Sequence, residues 1–337
     1  MTTTPLVPPA DELARSDPSP TVTVQAAGRL HLRVVGTSVA APGVRNLVLA
    51  RADGARLPAY PPGSHLVLHC GQRRNAYSLT GCGTRPGTYT VSVLLLADGQ
   101  GGSRWVHGLQ VGDELVADRP RSAFAPVSTA THHLLVAGGI GITPVLSHAR
   151  SAVRWGRSFD LLYGYRPGAA AHLAELRALC GAYLHELPVM ANFLAAVEAA
   201  LIGSRIGTHL YACGPAPMLD AVVGRAGELG WPEERVHTER FSAEALDPGE
   251  PFEAVLTRSA RRVPVPSGTS LLDALDGAGV TVPSMCRQGI CGECRVTVLD
   301  GEPLHRDLFL SEQERAAGDS VMCCVSRSRN PYLELDL

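Results

Sequence analysis

Three cysteines in one short loop near the carboxyl end have the spacing best suited to chemistry. Residues 286–294 read Cys-Arg-Gln-Gly-Ile-Cys-Gly-Glu-Cys, a C-x4-C-x2-C spacing, and the pair Cys323 and Cys324 follows later in the chain. This is the spacing of plant-type [2Fe–2S] centres, which need a fourth, distant cysteine. Gly289 and Gly292 suit such a loop, because glycine adopts positive φ and lets backbone N–H groups approach sulfur. The spacing therefore predicts an iron–sulfur cluster.

Two other interpretations of these cysteines remain open. Structural zinc sites favour a paired C-x2-4-C hook at both ends, and only one half of this cysteine set has that form. Unliganded cysteines, buried or paired with one another, are the other alternative. Either would make the chain a redox-sensing or zinc-binding protein without turnover, whereas a cluster needs a source of electrons elsewhere in the chain.

The composition is that of a multidomain chain without features for binding nucleic acid or membrane. Its 337 residues suggest two or three domains, and 45% hydrophobic with 18% charged residues suit globular folds. A formal net charge of −2 offers no basic footprint for nucleic acid or anionic lipid. No apolar run is as long as a membrane span, and the first residues lack a signal-peptide pattern. Nine unevenly spread cysteines favour a reducing, cytoplasmic compartment.

The chain divides by pattern, beginning with a lead and a β-rich part. Residues 1–27 are rich in Thr, Pro and Ser, which predicts a disordered lead. Residues 28–127 contain short strand-like segments separated by turn residues such as Pro61-Pro62-Gly63. This punctuation predicts a small antiparallel β-barrel.

The remaining sequence predicts an α/β domain, a linker and an α+β domain. Strands and helices alternate over 128–240, which predicts a parallel sheet with covering helices. Helices are expected at Pro144–Trp155, Leu173–Leu179 and Ala216–Leu229. Residues 241–251 form a polar, Pro- and Gly-containing linker. Residues 252–337 read as a hairpin, a short helix capped by Ser270, and the cysteine loop, a β-grasp-like ferredoxin arrangement.

A glycine-rich turn follows the first strand of the α/β part. A buried strand runs into Gly138, Gly139 and Gly141, and we expect Thr143 to cap the next helix with Pro144 at its first position. A helix start of this kind offers N–H groups to a pyrophosphate. The pattern is not a strict G-x-G-x-x-G, so a plain strand-to-helix turn is an equal alternative.

A second glycine-rich stretch lies in the β-rich part, at Gly99–His107. Ser103 would cap a short helix whose first N–H groups face a phosphate. A hairpin loop that ends in a capped helix is the alternative.

The stretch Arg73–Thr80, which reads Arg-Arg-Asn-Ala-Tyr-Ser-Leu-Thr, suits a flavin mononucleotide. Guanidinium groups bind phosphate, Tyr77 would pack on the ring, and Ser78 would donate a hydrogen bond to a ring nitrogen. The alternative is a solvated basic turn followed by an amphipathic strand.

The stretch Tyr211–Met218 ends a strand and begins a helix. Ligands of doubly wound sheets sit at the carboxyl ends of strands, so Cys213 would lie at the mouth of the cleft. A buried cysteine that packs as a small hydrophobe is the alternative. The second strand of this sheet ends at Tyr165-Arg166, where a ribose-binding acid is expected. Arg166 is either a contact for a 2′-phosphate or a surface cation.

The order of these motifs closely resembles the phthalate dioxygenase reductase family, within the ferredoxin–NADP reductase superfamily. The resemblance spans about residues 28–337, and the carboxyl-terminal segments His305-Arg306-Asp307 and Met322–Arg327 are especially similar. It implies a flavin β-barrel, then an NAD domain, then a [2Fe–2S] domain. Because the family's fourth ligand precedes Val-Ser-Arg, the resemblance selects Cys324 over Cys323.

The resemblance also implies roles for individual positions. It implies flavin contacts at Arg74, Asn75, Tyr77, Ser78 and Leu79, a flavin-phosphate loop at Gly101, Gly102 and Ser103, a nucleotide loop at Gly138, Gly139, Gly141, Thr143 and Pro144, a nicotinamide side at Cys213, Gly214, Pro215 and Phe241, and cluster ligands at Cys286, Cys291, Cys294 and Cys324.

Two departures concern the flavin tail. The arginine of the family's Arg-x-Tyr-Ser motif falls on Asn75, and Arg74 would reach the phosphate only through a local bulge. The segment Val93–Leu96 is apolar where the family often carries a basic residue. FMN is the expected flavin, with FAD as the alternative.

The implied function is that of a reductase component of an oxygenase. NADH, with NADPH as the alternative, would give a hydride to FMN, and the cluster would pass single electrons to a Rieske-type demethylase or hydroxylase. Ser78 would tune flavin N5, and Cys213 would shape the transfer geometry near nicotinamide C4. A haem-thiolate monooxygenase is the alternative acceptor, and a free-standing diaphorase is a further reading. We expect a monomer that docks transiently.

Overall fold

The computed structural model describes residues 29–71, 73–97, 101–122, 124–188, 192–241, 248–284, 289, 292–307 and 309–337. The expected lead at 1–27, most of the linker, and the predicted ligands Cys286 and Cys291 lie outside these ranges. Within them, no helix has the length and apolarity needed to cross a membrane.

Six of the described strands form an antiparallel barrel. They are β1 (Arg29–Ala41), β2 (Val44–Arg51), β3 (His65–Cys70), β4 (Arg73–Ser78), β5 (Tyr89–Leu94) and β6 (Glu114–Asp118), with helix α1 (Gly102–Gly108) before β6. The strand order is β4-β3-β6-β1-β2-β5, and a bridge between Leu79 and Val91 joins the two outer strands. Leu79 and Val91 are fully buried, so the closure packs into the barrel core. The predicted barrel is confirmed.

A parallel sheet with helices on both faces follows the barrel. Its elements are β7 (His132–Gly138), α2 (Ile142–Arg154), β8 (Phe159–Gly164), α3 (Leu173–Cys180), β9 (Leu184–Leu187), α4 (Phe193–Ile202), β10 (Thr208–Cys213), α5 (Ala216–Glu228) and β11 (Val236–Glu239). The order β11-β10-β7-β8-β9 places the reversal of strand order between β7 and β10. Ligands of such sheets bind at that switch point. Helix α4 was not predicted.

The last sheet is mixed, as a β-grasp fold requires. Its part of the chain contains β12 (Phe252–Leu256), β13 (Arg261–Val265), α6 (Leu271–Gly277), β14 (Arg295–Asp300), β15 (Pro303–Leu304), α7 (Glu312–Ala317), β16 (Ser320–Met322), β17 (Arg327–Ser328) and β18 (Tyr332–Leu335). Strand β12 pairs in parallel with β18 and antiparallel with β13. Ser270 caps α6 as predicted, because its Oγ accepts the Asp273 N–H at 3.0 Å.

Two predicted helix caps are wrong. Helix α2 begins at Ile142 after Gly141, so Thr143 and Pro144 lie inside its first turn, and the Thr143 hydroxyl donates to the Ile140 carbonyl at 3.0 Å. Proline is tolerated there because first-turn N–H groups have no intrahelical partner. Helix α1 begins at Gly102, so Ser103 does not cap it. Both helices start earlier because glycine, which needs no side-chain cap, occupies the boundary.

Candidate functional site

The two predicted nucleotide motifs lie against each other at the switch point. A Cβ on Gly141 would lie 2.2 Å from the Cys213 carbonyl oxygen, and one on Gly138 would lie 2.4 Å from Met218 Sδ. A Cβ on Gly214 would come within 2.5 Å of Met218 Cε. The glycines are therefore needed for close backbone approach, which makes a narrow cradle between the ends of β7 and β10.

The cradle opens at the start of α2. Gly139 has a φ of +53°, and apart from its chain neighbours no atom of the described residues lies within 4 Å of its Cβ position. The Tyr163 hydroxyl donates to the Gly139 carbonyl at 3.3 Å and fixes the turn from the β8 side. Helix α2 has no side-chain cap, and its Ile142 N–H donates to the Gly139 carbonyl of the preceding turn. The positive end of the helix dipole beside a glycine turn favours an anionic group such as a pyrophosphate. This geometry fits the expected dinucleotide.

Cys213 is fully buried at the end of β10, opposite Glu239 on the neighbouring strand. Burial, and then the nearby Glu239 carboxyl, raise the pKa of the Cys213 thiol well above its usual range. The side chain is therefore a neutral thiol at pH 7, suited to shaping the cleft and not to nucleophilic attack.

Glu239 ends strand β11 and was not among the predicted site residues. The residue as a whole is partly exposed, yet its Oε2 is buried and has no hydrogen-bond partner among the described residues. Burial raises the pKa of this carboxyl to about 8. A buried, neutral acid at the carboxyl end of a strand beside the cleft is a group that can hold a proton there. Its position at the end of β11 was the signal that could have found it.

We expect Glu239→Gln to remove a pH dependence of stability. The folded-state pKa of about 8 exceeds the ordinary 4.5, so the folded protein binds the proton more tightly. The contribution of this bound proton to the free energy of unfolding is complete below about pH 4.5 and is lost as pH rises to about 8. The variant should be close to wild type near pH 5 and exceed its free energy of unfolding by about 3–4 kcal/mol at pH 8. Urea unfolding across this range measures the difference.

The exposed Glu228 on α5 provides the control, because Glu228→Gln should leave that pH slope unchanged. Equal slopes in wild type and Glu239→Gln would contradict the buried-acid interpretation.

The predicted flavin strand is regular, which corrects one expectation. Strand β4 pairs with β3 without a register shift, so the bulge proposed for Arg74 is absent. The Arg74 guanidinium instead forms an ion pair with Asp118 at 2.5 Å. The Asn75 amide lies against α1, where a Cβ on Gly102 would come within 2.3 Å of Asn75 Oδ1. Thus Asn75, and not Arg74, faces the predicted phosphate loop.

That part of the barrel also contains an unsatisfied polar atom. Asn75 Oδ1 is buried and has no hydrogen-bond partner among the described residues. Buried polar atoms are seldom left unpaired in folded proteins, so an orphan of this kind fits a bound group. Ser103 is buried nearby, and its Oγ accepts the Leu96 N–H at 3.1 Å.

The aromatic and hydroxyl members of the flavin motif have different environments. Tyr77 packs against the barrel core, and its buried hydroxyl lies beside the Cys70 thiol; burial raises the pKa of Tyr77. Ser78 is buried at the end of β4. Leu79 is a core residue whose N–H donates to the Ser64 carbonyl at 2.8 Å. Gly101 adopts a φ of +99° before α1.

Two further predicted residues lie at the surface. Arg166 is exposed just beyond the end of β8. Phe241 is 36% exposed and precedes residues outside the described ranges. Pro215 precedes α5 as its N-terminal flanking residue, beside the glycine cradle.

The described part of the cysteine site is compact. Cys294 and Cys324 are buried, and the Cys323 N–H donates to the Cys294 carbonyl at 3.1 Å. Gly289 and Gly292 have φ values of +74° and +79°, the positive values that glycine was expected to supply in this loop. A Cβ on Gly292 would lie 2.3 Å from Phe309 Cζ, so the loop passes directly beneath that ring. These features fit a cluster loop.

The cysteine loop also contacts the barrel. Glu293, next to Cys294, lies 3.6 Å from the Arg121 guanidinium. Arg121 is held to the start of β3, because the His65 N–H donates to its carbonyl at 2.8 Å. Glu293 and the adjacent Cys294 therefore lie on the barrel side of the last domain.

Sequence profiles of two families match the chain. A profile described as a 2Fe-2S iron-sulfur cluster binding domain matches residues 255–329. A profile described as the N-terminal domain of dimethylamine monooxygenase subunit DmmA-like proteins matches residues 115–236.

Full-length relatives cover nearly the whole chain. The heme-dependent oxidative N-demethylase beta subunit of Ectopseudomonas mendocina is 40% identical, over 91% of this chain and 99% of that protein. The phthalate 4,5-dioxygenase oxygenase reductase subunit of Pseudomonas putida is 34% identical, over 92% and 97%. The structure of phthalate dioxygenase reductase, described as modular for electron transfer from pyridine nucleotides to [2Fe–2S], is 33% identical with a TM-score of 0.75, over 92% and 98%.

Fold, site and similarity together define an NAD(P)H-dependent oxidoreductase with a ferredoxin–NADP reductase-like pair of domains and a [2Fe–2S] domain. More narrowly, the chain belongs to the phthalate dioxygenase reductase family, the reductase components of oxygenases. The family expected from the sequence is confirmed. The expected cofactors, FMN, NADH and a [2Fe–2S] cluster, are the set of this family.

Proposed function

We propose that this chain takes a hydride from NADH onto FMN and passes single electrons through its cluster to a separate oxygenase. One observation carries the proposal: close contacts assemble each predicted site, with Gly141 against Cys213 in the nucleotide domain and Gly102 against Asn75 in the barrel, and Glu293 beside Cys294 reaches Arg121 of the barrel. A bound flavin would accept two electrons from the nucleotide, and the cluster would carry them singly.

The proposed domains are a flavin barrel over 28–127, a nucleotide domain over 128–240, a linker over 241–251 and a ferredoxin domain over 252–337. Sheet boundaries at β6, β7, β11 and β12 support these divisions. Within them, the α2 start binds pyrophosphate, Ser78 donates to the flavin ring, and Cys213 excludes water from the cleft as a neutral thiol. Cys286, Cys291, Cys294 and Cys324 would ligate the cluster.

An anaerobic NADH titration of the purified protein tests this function. Bleaching of flavin absorbance together with a rhombic EPR signal at low temperature is the expected result, and the released flavin distinguishes FMN from FAD. Flavin reduction without a cluster signal would indicate a diaphorase. A colourless protein with bound zinc would overturn the proposal.

A Rieske-type oxygenase is the proposed acceptor, as the family resemblance implies. A haem-dependent oxygenase is the second candidate, because the 40% identical relative is named as a subunit of a heme-dependent N-demethylase. We propose a monomer in the cytoplasm, since the cysteine content suits a reducing compartment and an electron shuttle docks transiently. Anaerobic mixing of the reduced protein with one purified acceptor of each class distinguishes them. Bleaching of the Rieske absorbance alone supports the first candidate, and a shift of the haem Soret band alone supports the second.

Phe309 is expected to form part of the surface that meets the acceptor. Its ring covers Gly292 and is 45% exposed, so it is an apolar group beside the cluster loop. Phe309→Ala should slow reduction of the acceptor about 10-fold and leave flavin reduction by NADH unchanged, because anchors at interfaces are often exposed aromatics. Stopped-flow absorbance measures both steps. Ile206→Ala, at a 92% exposed position in the nucleotide domain, is the control, and equal effects would contradict the assignment.

A further inference from the structure

Helix α2 joins the nucleotide cradle to the flavin barrel through three side chains in its middle. Ser147 Oγ donates to the Gly81 carbonyl at 3.0 Å, and His148 Nε2 lies 2.8 Å from the Phe124 carbonyl. Arg150 Nη1 donates to the Thr80 carbonyl at 2.6 Å. All three acceptors are backbone oxygens of the barrel or of the segment that leaves it.

Two of the three acceptors directly follow the predicted flavin contacts in the chain. Thr80 and Gly81 come just after Ser78 and Leu79. Thr80 is 1% exposed, and its N–H donates to the Thr90 carbonyl at 2.9 Å, so it belongs to the closed wall of the barrel. A hydrogen bond to this carbonyl therefore holds the end of the flavin strand.

The donors are well fixed on the helix side. Ser147 and His148 are almost fully buried. Arg150 Nε donates to Glu175 at 2.8 Å, and Glu175 lies 3.4 Å from His172 Nδ1. The other ring nitrogen of His172 lies 2.8 Å from Ser92 Oγ on β5, a second connection to the barrel.

The packing around these contacts leaves little room for movement. A Cβ on Gly63, which has a φ of +73°, would lie 2.4 Å from the Phe124 carbonyl and 2.6 Å from His148 Nε2. The helix rises about 1.5 Å per residue, so Arg150 lies about 12 Å along the axis from Ile142 at the cradle. Helix α2 is thus a short rigid connection between the two sites.

We propose that α2 is a positioning arm that sets the distance between nicotinamide and flavin, with Ser147, His148 and Arg150 as its positioning residues. The inference rests on the proposed function and identifies a further determinant of the same reaction. The rate of hydride transfer depends steeply on the distance between nicotinamide C4 and flavin N5. A misplacement of about 1 Å lowers the rate about 100-fold. Three hydrogen bonds hold α2, in the nucleotide domain, against the flavin barrel and the segment that leaves it.

Arg150→Ala and Ser147→Ala test the arm against Arg154→Ala. Arg154 is exposed one turn further along α2, with its guanidinium over Trp155, and no side-chain hydrogen bond or ion pair joins it to the described residues of the barrel. The measurement is anaerobic stopped-flow reduction of the flavin by saturating NADH and by 4-deuterated NADH. In the two arm variants, the limiting rate should be about 10- to 100-fold lower than in wild type. The isotope effect should change, and the nicotinamide–flavin charge-transfer band should be weaker. The apparent Kd for NADH should change much less. Arg150→Lys should recover part of the rate, because an ammonium can reach one acceptor but not bridge two.

Hydrogen exchange of the protein without NADH gives a readout independent of turnover. Amides in 79–82 and 124–127 should exchange faster in the arm variants than in Arg154→Ala. Variants that lose thermal stability but keep the rate, isotope effect and charge-transfer band would overturn the arm, as would equal effects from Arg154→Ala. A wild-type protein whose flavin NADH does not reduce would overturn the proposed function; the exchange difference would then still decide whether α2 couples the two domains.

Discussion

We expect Cys324→Ala to remove electron transfer to the acceptor and to leave reduction of the flavin by NADH intact. A [2Fe–2S] cluster needs four thiolates, and the loop at 286–294 contains three cysteines. Removal of a residue that only hydrogen-bonds to a metal ligand already lowers metal affinity or activity about 10- to 100-fold. Removal of a ligand itself should therefore lower cluster-dependent reduction of the acceptor more than about 100-fold. Iron content, the EPR signal and stopped-flow flavin reduction measure the separate parts of this result.

Cys323→Ala is the matched control for that experiment. Cys323 is adjacent in sequence and fully buried in the same core, so the two variants remove the same side chain from similar packing. We expect Cys323→Ala to keep the cluster. The free energy of unfolding should fall by about 1 kcal/mol, because the smaller side chain leaves a cavity. Loss of the cluster from Cys323→Ala with retention in Cys324→Ala would reverse the ligand assignment that the resemblance implies.

Gly141→Ala is expected to have the second large effect, on the nucleotide side. Gly141 has an ordinary helical φ of −61°, so the backbone conformation at this position does not require glycine. It is needed for space, because the added Cβ would lie 2.2 Å from the Cys213 carbonyl oxygen and 2.7 Å from the Gly214 nitrogen. Backbone atoms on both sides must separate, which costs about 1–3 kcal/mol of stability. The limiting rate of flavin reduction by NADH should fall about 100-fold, because the cradle shifts against the flavin.

Gly224→Ala controls for the change from glycine to alanine. Gly224 lies in α5, with open space at its Cβ position. Alanine there should leave the rate unchanged and raise the free energy of unfolding by up to about 1 kcal/mol, because it reduces the entropy of the unfolded chain. A Gly141→Ala protein with wild-type kinetics and stability would show that the cradle can open without cost.

Much of the fold was predictable because its elements are set by local patterns. Alternation over 128–240 predicted the parallel sheet, and Ser270 predicted the start of α6. The caps of α1 and α2 were wrong, because glycine starts both helices and leaves no polar side chain as a signal. Helix α4 was missed, since its residues Phe193–Ile202 are mostly apolar and lack a clear amphipathic period.

The sequence by itself determined the family and the types of groups that carry the chemistry. Cysteine spacing and glycine position are local features, so they can be recognised in the sequence without the fold. Only the tertiary structure decided which side chains face each site. Strand alternation turns Asn75 toward Gly102 and Arg74 toward Asp118, although the two are adjacent in the chain. Burial decided that Glu239 is a neutral acid, because the pKa of a carboxyl depends on the groups and the solvent that surround it in three dimensions. The bonds from α2 to Thr80 and Gly81 likewise join residues about 70 positions apart, a pairing that only the packed fold specifies.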